Sequence, residues 1–360
     1  MAEGVVFLTG FPGFIGRRLV RRLLAAEGDL RVAALVESRM AQPAREAAAE
    51  LDGERIEVLE GDITDRRLGL PDERYERLMA ETVAAYHLAA VYDLSVPFDV
   101  AQRVNVDGTG NVLDLCKRCQ RLKRLNYVST AYVAGDRRGV VYEHELVAGQ
   151  WFKNHYESTK YQAEVWVRSE LDRIPVTIYR PAIVVGDSRT GETQKFDGPY
   201  YALRAIALSV ERGLPIAQFG RSSAPMNVVP VDFIVDAIAA LAGDPEAVGQ
   251  TVHLVDPEPV TAREVFARLS REYAGRDPQL RIPAGLVGAV LRVRAVRRLY
   301  GGTPPEAIRY LNHPVRFDTR RADELVARHG LRCPRFEEYV KPMVAFFREH
   351  EDDPKFAPQG

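Results

Sequence analysis

A tyrosine and a lysine stand four residues apart in the stretch Tyr156-Glu157-Ser158-Thr159-Lys160. Residues at this spacing share one face of a helix, so the phenol and the ammonium would be neighbours. A nearby ammonium favours the phenolate and lowers the tyrosine pKa, and such a tyrosine can donate and accept a proton near neutral pH. Taken alone, the pair has the simpler interpretation of two surface residues.

Two hydroxyls, those of Ser129 and Thr130, follow the apolar run that begins at Leu125. The run predicts a buried strand, and ligands gather at the carboxyl ends of the strands in an open parallel sheet. A second apolar run, Val176–Tyr179, predicts another buried strand, which Pro181 ends. We therefore expect these strand ends to lie at the same edge of one sheet.

The element that organises the rest is a glycine-rich turn near the start of the chain. Residues 5–8 predict a strand buried on both faces, and residues 17–26 carry an apolar stripe typical of a helix. Between them Gly10 can make a tight turn, Gly13 lets the backbone approach a pyrophosphate, and Gly16 lets the helix pack on the strand. The turn would bind the phosphates with Gly10, Phe11, Gly13, Phe14, Ile15 and Gly16. A plain strand–turn–helix is the alternative.

Charges after the second predicted strand, residues 31–36, bear on the choice between NAD and NADP. Glu37 stands where the adenosine ribose would lie, and a carboxylate there accepts from both ribose hydroxyls and repels a 2′-phosphate, which favours NAD. Arg39, together with Arg17 just after the last glycine, could instead clamp a 2′-phosphate. The sequence supports both interpretations, and solvated surface charges are a third.

Three more segments would complete a dinucleotide site, and they contribute Asp62 and Ile63, then Leu88, Ala89 and Ala90, and finally Asn105. Asp62 either accepts a hydrogen bond from the adenine amine or begins a simple turn. The small residues of the second segment let the backbone approach a cofactor, and we expect the preceding His87 to be packed rather than catalytic. Asn105 is predicted to open a helix with one polar residue on its inner face.

Composition limits the classes of partner. Lys and Arg number 49 against 50 Asp and Glu, so the charge balance gives no reason to expect nucleic acid. No apolar run approaches the roughly 20 residues that span a bilayer, and no amino-terminal signal is predicted. Three cysteines are too few for a disulfide framework, which fits a cytoplasmic protein. Cys116 and Cys119 are expected to be a buried thiol pair rather than a redox or metal site.

The motifs follow one another in the order found in extended short-chain dehydrogenases/reductases, which about the first 180 residues resemble. The resemblance implies an α/β fold, a Rossmann-type doubly wound parallel sheet with a smaller, mainly helical substrate lobe. It also implies that Tyr156 is the general acid and that Lys160 holds the nicotinamide ribose. Thr130 would donate a second hydrogen bond to the substrate oxygen, and Pro181 would lie against the nicotinamide.

Residues 128–133, 179–186 and 191–200 resemble the branch of fatty acyl-CoA reductases and the thioester-reductase domains of carboxylic acid reductases. This implies reduction of an acyl thioester, on CoA or a carrier protein, to an aldehyde or alcohol, with NADP(H) preferred to NAD(H). We expect the acyl group to arrive activated, because no adenylation or carrier domain is evident. The alternatives are a nucleotide-sugar epimerase or dehydratase, a hydroxysteroid or ketone dehydrogenase, and a non-catalytic dinucleotide-binding protein.

We expect residues 1–255 to form the dinucleotide-binding domain, with a substrate-loop insertion at about 187–226. Residues 256–350 would form a substrate lobe, and residues 351–360 a frayed tail. Asp187–Gly198 is rich in Gly, Thr, Ser and Asp, which predicts a mobile loop. The resemblance implies that this loop covers the substrate, over an apolar pocket for the acyl chain, and a surface connector is the alternative. The amphipathic, arginine-rich stretch 282–300 would pack on the domain in preference to lying on a membrane. The oligomeric state is left open.

Overall fold

The computed structural model describes residues 4–26, 28–92, 96–219, 223–282, 310 and 313–356. Within these ranges the strands are β1 Val5–Thr9, β2 Arg31–Val36, β3 Ile56–Glu60, β4 Thr82–His87, β5 Arg124–Val128, β6 Gly139–Val141, β7 Val176–Pro181, β8 Ile183–Val185, β9 Ala217–Phe219, β10 Val228–Pro230, β11 Thr251–Leu254, β12 Leu280–Ile282 and β13 Val315–Phe317. The α-helices are α1 Phe14–Ala26, α2 Ala41–Asp52, α3 Asp72–Glu81, α4 Phe98–Ala101, α5 Gly108–Arg118, α6 His155–Ser169, α7 Tyr200–Glu211, α8 Val231–Ala242, α9 Ala262–Ala274, α10 Arg320–Ala327 and α11 Phe336–His350.

Seven strands form a central parallel sheet in the order β11-β7-β5-β4-β1-β2-β3. The chain builds outward from β1 to β3, then crosses back to β4 and continues to β11, so the strand order reverses between β1 and β4. This is a doubly wound Rossmann-type sheet, which confirms the predicted fold class. Ligands bind at the carboxyl ends of the strands where such an order reverses, and both the glycine turn and residues 88–90 lie there.

Helices cover both faces of the sheet. One face packs against α1, α2, α8 and α10, and the other against α3, α5 and α6. Helix α1 buries Leu19, Val20, Leu23 and Leu24, and each such side chain removed from water contributes about 1.5–3 kcal/mol. The helix begins at Phe14, three residues earlier than the apolar stripe predicts, so Gly16 lies inside its first turn.

A smaller, mainly helical cluster packs beside the sheet, formed by α7, α9 and α11 with Val185 and Phe196. Thr261 and Glu264 make the capping box that begins α9. In contrast, β13 and α10 pack on the core of the main sheet, so the carboxy-terminal residues contribute to both clusters. The predicted basic helix at 282–300 lies outside the described residues from 283 onward. Among the helices that are described, none has the length and apolar character needed to cross a bilayer.

Candidate active site

The glycine turn has a shape that side chains would prevent. Gly10 has a φ of +90°, and its carbonyl oxygen accepts from the Gly13 amide at 3.0 Å. A Cβ on Gly16 would lie 2.3 Å from that oxygen, and a Cβ on Gly13 would lie 2.8 Å from it. Only glycine fits at these positions, because the first turn of α1 rests directly on the turn. The first amides of a helix have no partner within it and can bind an anion.

The end of β4 lies against this turn. The Ala89 amide donates to the Thr9 hydroxyl at 3.2 Å, and a Cβ on Gly10 would lie 3.0 Å from the Ala89 nitrogen. The His87 ring lies between the hydroxyls of Thr9, at 2.7 Å, and Thr109, at 3.0 Å. Burial lowers the pKa of His87 to about 3, so the ring is neutral. His87 therefore connects β1 to α5, as its expected packed role requires.

Asn105 lies in a π-helical turn, Gln102–Asp107, and the prediction that it opens a helix is wrong. The π turn directs its side chain inward, where Oδ1 accepts from the Val91 amide at 2.8 Å. Its Nδ2 donates to the Val91 carbonyl at 3.2 Å and to the Thr159 hydroxyl at 3.0 Å. One buried amide thus joins the segment after β4 to the helix turn that carries Lys160.

Thr130 and Tyr156 meet at the carboxyl edge of the sheet. Thr130 follows β5, and its hydroxyl accepts from the Tyr132 amide at 3.2 Å and lies 3.5 Å from the Pro181 carbonyl oxygen. Tyr156 stands in the first turn of α6, which begins there because the Asn154 side chain caps the Glu157 amide at 2.9 Å. The Thr130 hydroxyl lies close enough to the Tyr156 phenol to oppose the rise in its pKa that burial causes. The structure thus brings these hydroxyls together beside Pro181.

Lys160 shares the helix with Tyr156 but turns toward the sheet. Its Nζ donates to the Tyr127 hydroxyl at 3.1 Å and to the Val128 carbonyl at 2.8 Å. Burial lowers the pKa of Lys160 to about 7, and Glu164 opposes that shift. The predicted lowering of the Tyr156 pKa is wrong for this structure, since burial raises that pKa to about 12 and only the nearby Thr130 hydroxyl opposes the rise. The phenol is a protonated donor here.

The charges expected to select the cofactor are paired with one another. Arg39 forms an ion pair with Glu37, and Arg17 forms one with Glu50 of α2. The two arginines therefore pair with different carboxylates. Asp62 accepts from the Thr64 amide at 2.8 Å, which is the turn that was the alternative to an adenine contact. Ile63 is buried and its carbonyl accepts from Asn111 at 2.7 Å.

The predicted mobile loop, Asp187–Gly198, is instead tied to three helices, and we name it the strap. The Asp232 carboxylate of α8 accepts from the Ser188 amide at 2.8 Å. Arg18 of α1 pairs with Glu192 at 2.9 Å. Phe196 is fully buried and its ring lies 4.9 Å from that of Phe347 on α11. Aromatic rings therefore fill the side of the strap that was expected to cover an acyl pocket.

Sequence reasoning missed the buried residues that bind to, or stand next to, the catalytic candidates. Tyr127 was treated only as part of a strand and Ser129 only as a hydroxyl at the end of that strand, and Glu164 and Arg180 were not considered. A signal was present, because Glu164 lies one turn after Lys160 and Arg180 lies inside an apolar strand. Two opposite charges at positions predicted to be buried are usually paired with each other.

The residues present fit a dinucleotide. Glycine at positions 10, 13 and 16 leaves a cradle that any Cβ would fill, and it stands at the switch point of the sheet beside Ala89. Among the described residues, no group of three or more His, Cys, Asp or Glu side chains is arranged to hold a metal ion. The fold and this site define an NAD(P)-dependent oxidoreductase of the extended short-chain dehydrogenase/reductase type.

Comparison with known proteins names the family. The model of an NAD-binding family described as "Male sterility protein" matches residues 8–238, and the chain belongs to that family. Its relatives include the aldehyde reductase lnaA of Aspergillus flavus, 30% identical over 71% of this chain and 26% of that protein. The fatty acyl-CoA reductase wat of Drosophila melanogaster is 26% identical over 66% of this chain and 54% of that protein. The chain spans about a quarter of the length of lnaA and of several similar relatives.

Solved structures agree with the fold and the family. The terminal R domain of the myxalamid PKS-NRPS pathway has a TM-score of 0.82 and 27% identity, covering 100% of this chain and 94% of that one. A UDP-glucuronic acid 4-epimerase from Bacillus cereus, in complex with NAD, has a TM-score of 0.67 and 18% identity over 97% of this chain and 99% of that one, which shows the shared fold alone. The chain is thus a reductase of the thioester-reductase and R-domain family, as the resemblance predicted.

Proposed function

We propose that the protein reduces an acyl thioester to an aldehyde, or onward to an alcohol, with NADPH as the preferred reductant. The observation that carries the proposal is the pair of hydroxyls on Thr130 and Tyr156, placed beside Lys160 at the edge of the sheet that also holds the glycine turn. The names of the relatives support the substrate class, since they include an aldehyde reductase and a fatty acyl-CoA reductase. Carrier-linked relatives support an acyl group delivered on a carrier protein as well as on CoA.

The residues of the chain divide the chemistry among them. The dinucleotide, when bound, supplies the hydride to the thioester carbonyl. Thr130 and Tyr156 hold the carbonyl oxygen and stabilise its developing negative charge, and Tyr156 then gives it a proton. Lys160 binds the nicotinamide ribose. The resulting hemithioacetal collapses to thiol and aldehyde, without a nucleophilic cysteine, and burial raises the pKa of Cys119 to about 11.

The setting of this activity is part of the proposal. An acyl thioester on CoA or on a carrier protein is a cytoplasmic metabolite class, and the product aldehyde or alcohol belongs to lipid metabolism. The acyl group would reach this site already activated as a thioester. Membrane contact is not required by this reaction, because the thioester handle is itself polar.

Purified protein incubated with NADPH, or with NADH, and acyl-CoAs of increasing chain length tests the reaction. Free thiol should appear in step with NADPH loss, in a ratio of one to one for an aldehyde product and one to two for an alcohol. Each methylene that the protein buries should add up to about 0.8 kcal/mol to transition-state binding, until the available room ends. Turnover of ketones, aldehydes or UDP-sugars with no thiol released from any thioester would support the alternative enzymes instead.

Tyr156→Phe tests the assignment of the proton donor. A positioned proton donor is typically worth about 10²- to 10⁴-fold in rate, so turnover should fall by that factor while NADPH affinity is kept. Tyr142→Phe is the matched control, because that tyrosine is exposed and lies outside the site. Near-normal turnover in the Tyr156 variant would remove this residue from the mechanism.

A further inference from the structure

A buried ion pair lies beneath the catalytic candidates. Glu164 of α6 is 0% exposed and Arg180 of β7 is 1% exposed, and their closest approach is 2.6 Å, from Nη2 to Oε1. Arg168 binds the same carboxylate at 3.0 Å through its Nε. The Ser129 hydroxyl donates to Oε2 at 2.6 Å. Both oxygens of Glu164 are therefore held, Oε1 by the two arginines and Oε2 by Ser129, the residue after β5, together with Arg180 Nε at 3.1 Å.

The guanidinium of Arg180 is fixed on its far side as well. Its Nη1 donates to His253 Nε2 at 3.1 Å, and its Nη2 donates to the Glu145 carbonyl at 2.8 Å. Since Nε2 accepts, the His253 proton is on Nδ1, which donates to the Asp318 carbonyl at 2.7 Å. The pair is consequently anchored to β11 and to the segment that leads into α10, and it has little freedom to rearrange.

Three residues of this cluster are close in the chain to a catalytic candidate. Ser129 precedes Thr130, and Arg180 precedes Pro181, whose carbonyl lies 3.5 Å from the Thr130 hydroxyl. Glu164 stands one turn after Lys160 on the inner face of α6. The carboxylate thus joins the two strand ends that frame Thr130 to the helix that carries Lys160.

Stability alone does not explain such a pair. Removing two charges from water costs several kcal/mol per ion, and apolar residues of similar volume often serve a fold equally well. What an apolar replacement could not supply is a fixed negative charge near Lys160 together with hydrogen bonds that set the register of β5 and β7. Both properties serve the site rather than the core.

We propose that Glu164 is a positioning residue for the reduction, which fixes Thr130 and Lys160 relative to each other and places a negative charge one turn from the Lys160 ammonium. The claim about Thr130 rests on the proposed function, whereas the claim about Lys160 concerns cofactor binding and can be tested without a substrate.

The charged and titratable groups around both residues define the expected pH behaviour. Glu164 faces Arg168, Arg180 and Lys160, which are all cationic partners. Lys160 faces Glu164, the hydroxyl of Tyr127 and, on the side of β4, the neutral ring of His87. Burial lowers the pKa of Lys160 to about 7 and Glu164 raises it, so loss of the carboxylate lowers that pKa further.

The main experiment measures NADPH and NADH affinity against pH in the wild type and in Glu164→Gln. Wild-type affinity should fall as pH rises through about 7, where Lys160 loses its proton. In Glu164→Gln the midpoint of that fall should move down by about one pH unit, because an opposite charge nearby shifts a pKa by at least that amount. Glu170→Gln is the matched control, since Glu170 is a buried carboxylate just after α6 that pairs with Lys117 at 3.3 Å. It should lower the melting temperature and leave the midpoint unmoved.

Glu164→Asp separates the position of the carboxylate from its charge, and it tests the proposal if the Glu164→Gln variant does not fold. It keeps the charge but shortens the reach, so the pH midpoint should stay near the wild-type value. Turnover, on any carbonyl substrate that the wild type reduces, should fall about 10- to 100-fold. A folded Glu164→Gln protein with the wild-type midpoint would overturn the role toward Lys160. Wild-type turnover in Glu164→Asp would overturn the positioning role. Neither result depends on whether thioesters are the substrates.

Discussion

Glu37 and Arg39 bind each other, and this pairing limits what either side chain offers a cofactor. Glu37 would favour NAD, whereas Arg39 would favour NADP. Arg17 would also favour NADP, and it too is paired with a carboxylate, that of Glu50. An exposed ion pair is worth only about 0–1 kcal/mol, so a phosphate could displace either carboxylate. The preference for NAD or NADP therefore depends on weak ion pairs, and a single substitution in one of them should change it.

We predict that Glu37→Ala raises the affinity for NADPH relative to NADH by about tenfold or more. The change frees Arg39 and removes a carboxylate that would repel the 2′-phosphate, and a hydrogen bond to a charged group is worth about 1.5–3 kcal/mol. Titration of the variant with each cofactor gives the ratio. Glu50→Ala is the matched control, because it frees Arg17 only. A gain confined to Glu50→Ala would assign the phosphate to Arg17, and no gain in either variant would contradict the NADP preference.

At the scale of elements, the contact between α1 and the glycine turn shapes the proposed phosphate site. The helix begins close enough to the turn that Gly16 faces the Gly10 carbonyl without room for a methyl group. The same helix holds the strap through Arg18 and Glu192. One helix thus fixes both the cofactor turn and the segment that was expected to move over the substrate.

Gly16→Ala should therefore destabilise the fold by about 1–3 kcal/mol. The added Cβ would lie 2.3 Å from the Gly10 carbonyl oxygen, which can move away only if the backbone shifts. Cofactor affinity should fall with it, since the turn must shift. Urea unfolding and NADPH titration measure the two effects. Gly28→Ala is the control, because a Cβ there meets nothing within 4 Å. Equal stability of the two variants would show that α1 can move away from the turn at little cost.

Across the whole molecule, buried neutral histidines join elements that are far apart in sequence. His87 links β1 to α5, and His253 links Arg180 to the carbonyl of Asp318. Burial lowers the pKa of both to about 3, from an ordinary value of 6.5. In the unfolded chain these two histidines therefore bind protons below about pH 6.5, whereas in the folded protein they stay neutral down to about pH 3.

The free energy of unfolding should accordingly decrease as pH falls below about 6.5, by about 2 kcal/mol for each histidine at pH 5. Urea unfolding at pH 7 and pH 5 measures the loss. His87→Gln should remove about 2 kcal/mol of that loss at pH 5, the share of one histidine. Burial also lowers the pKa of His253 to about 3 and that of His313 to about 4. His144→Gln, at an exposed position, is the control for the substitution itself. An unchanged pH dependence in the His87 variant would mean that this ring takes up a proton without unfolding the protein.

Much of the fold and part of the site followed from the sequence because local rules govern them. Apolar runs separated by helical stripes predict a doubly wound sheet, and glycine spacing predicts the turn at its switch point. The carboxyl ends of parallel strands must share an edge, which brought Thr130 toward Pro181. These inferences need only the periodicity of each element and the direction of its chain.

Only the tertiary structure decided where long polar side chains go. Lys160 shares a helix face with Tyr156, yet its Nζ donates to Tyr127 and Val128. A buried ammonium is costly unless it is hydrogen-bonded, so its position depends on the acceptors within reach rather than on its neighbour along the helix. The composition of the strap predicts mobility, but its partners on α1, α8 and α11 come from sequence positions that no local pattern connects to it. Periodicity fixes the face on which a residue lies, whereas the partner of a buried charge depends on which distant elements pack together.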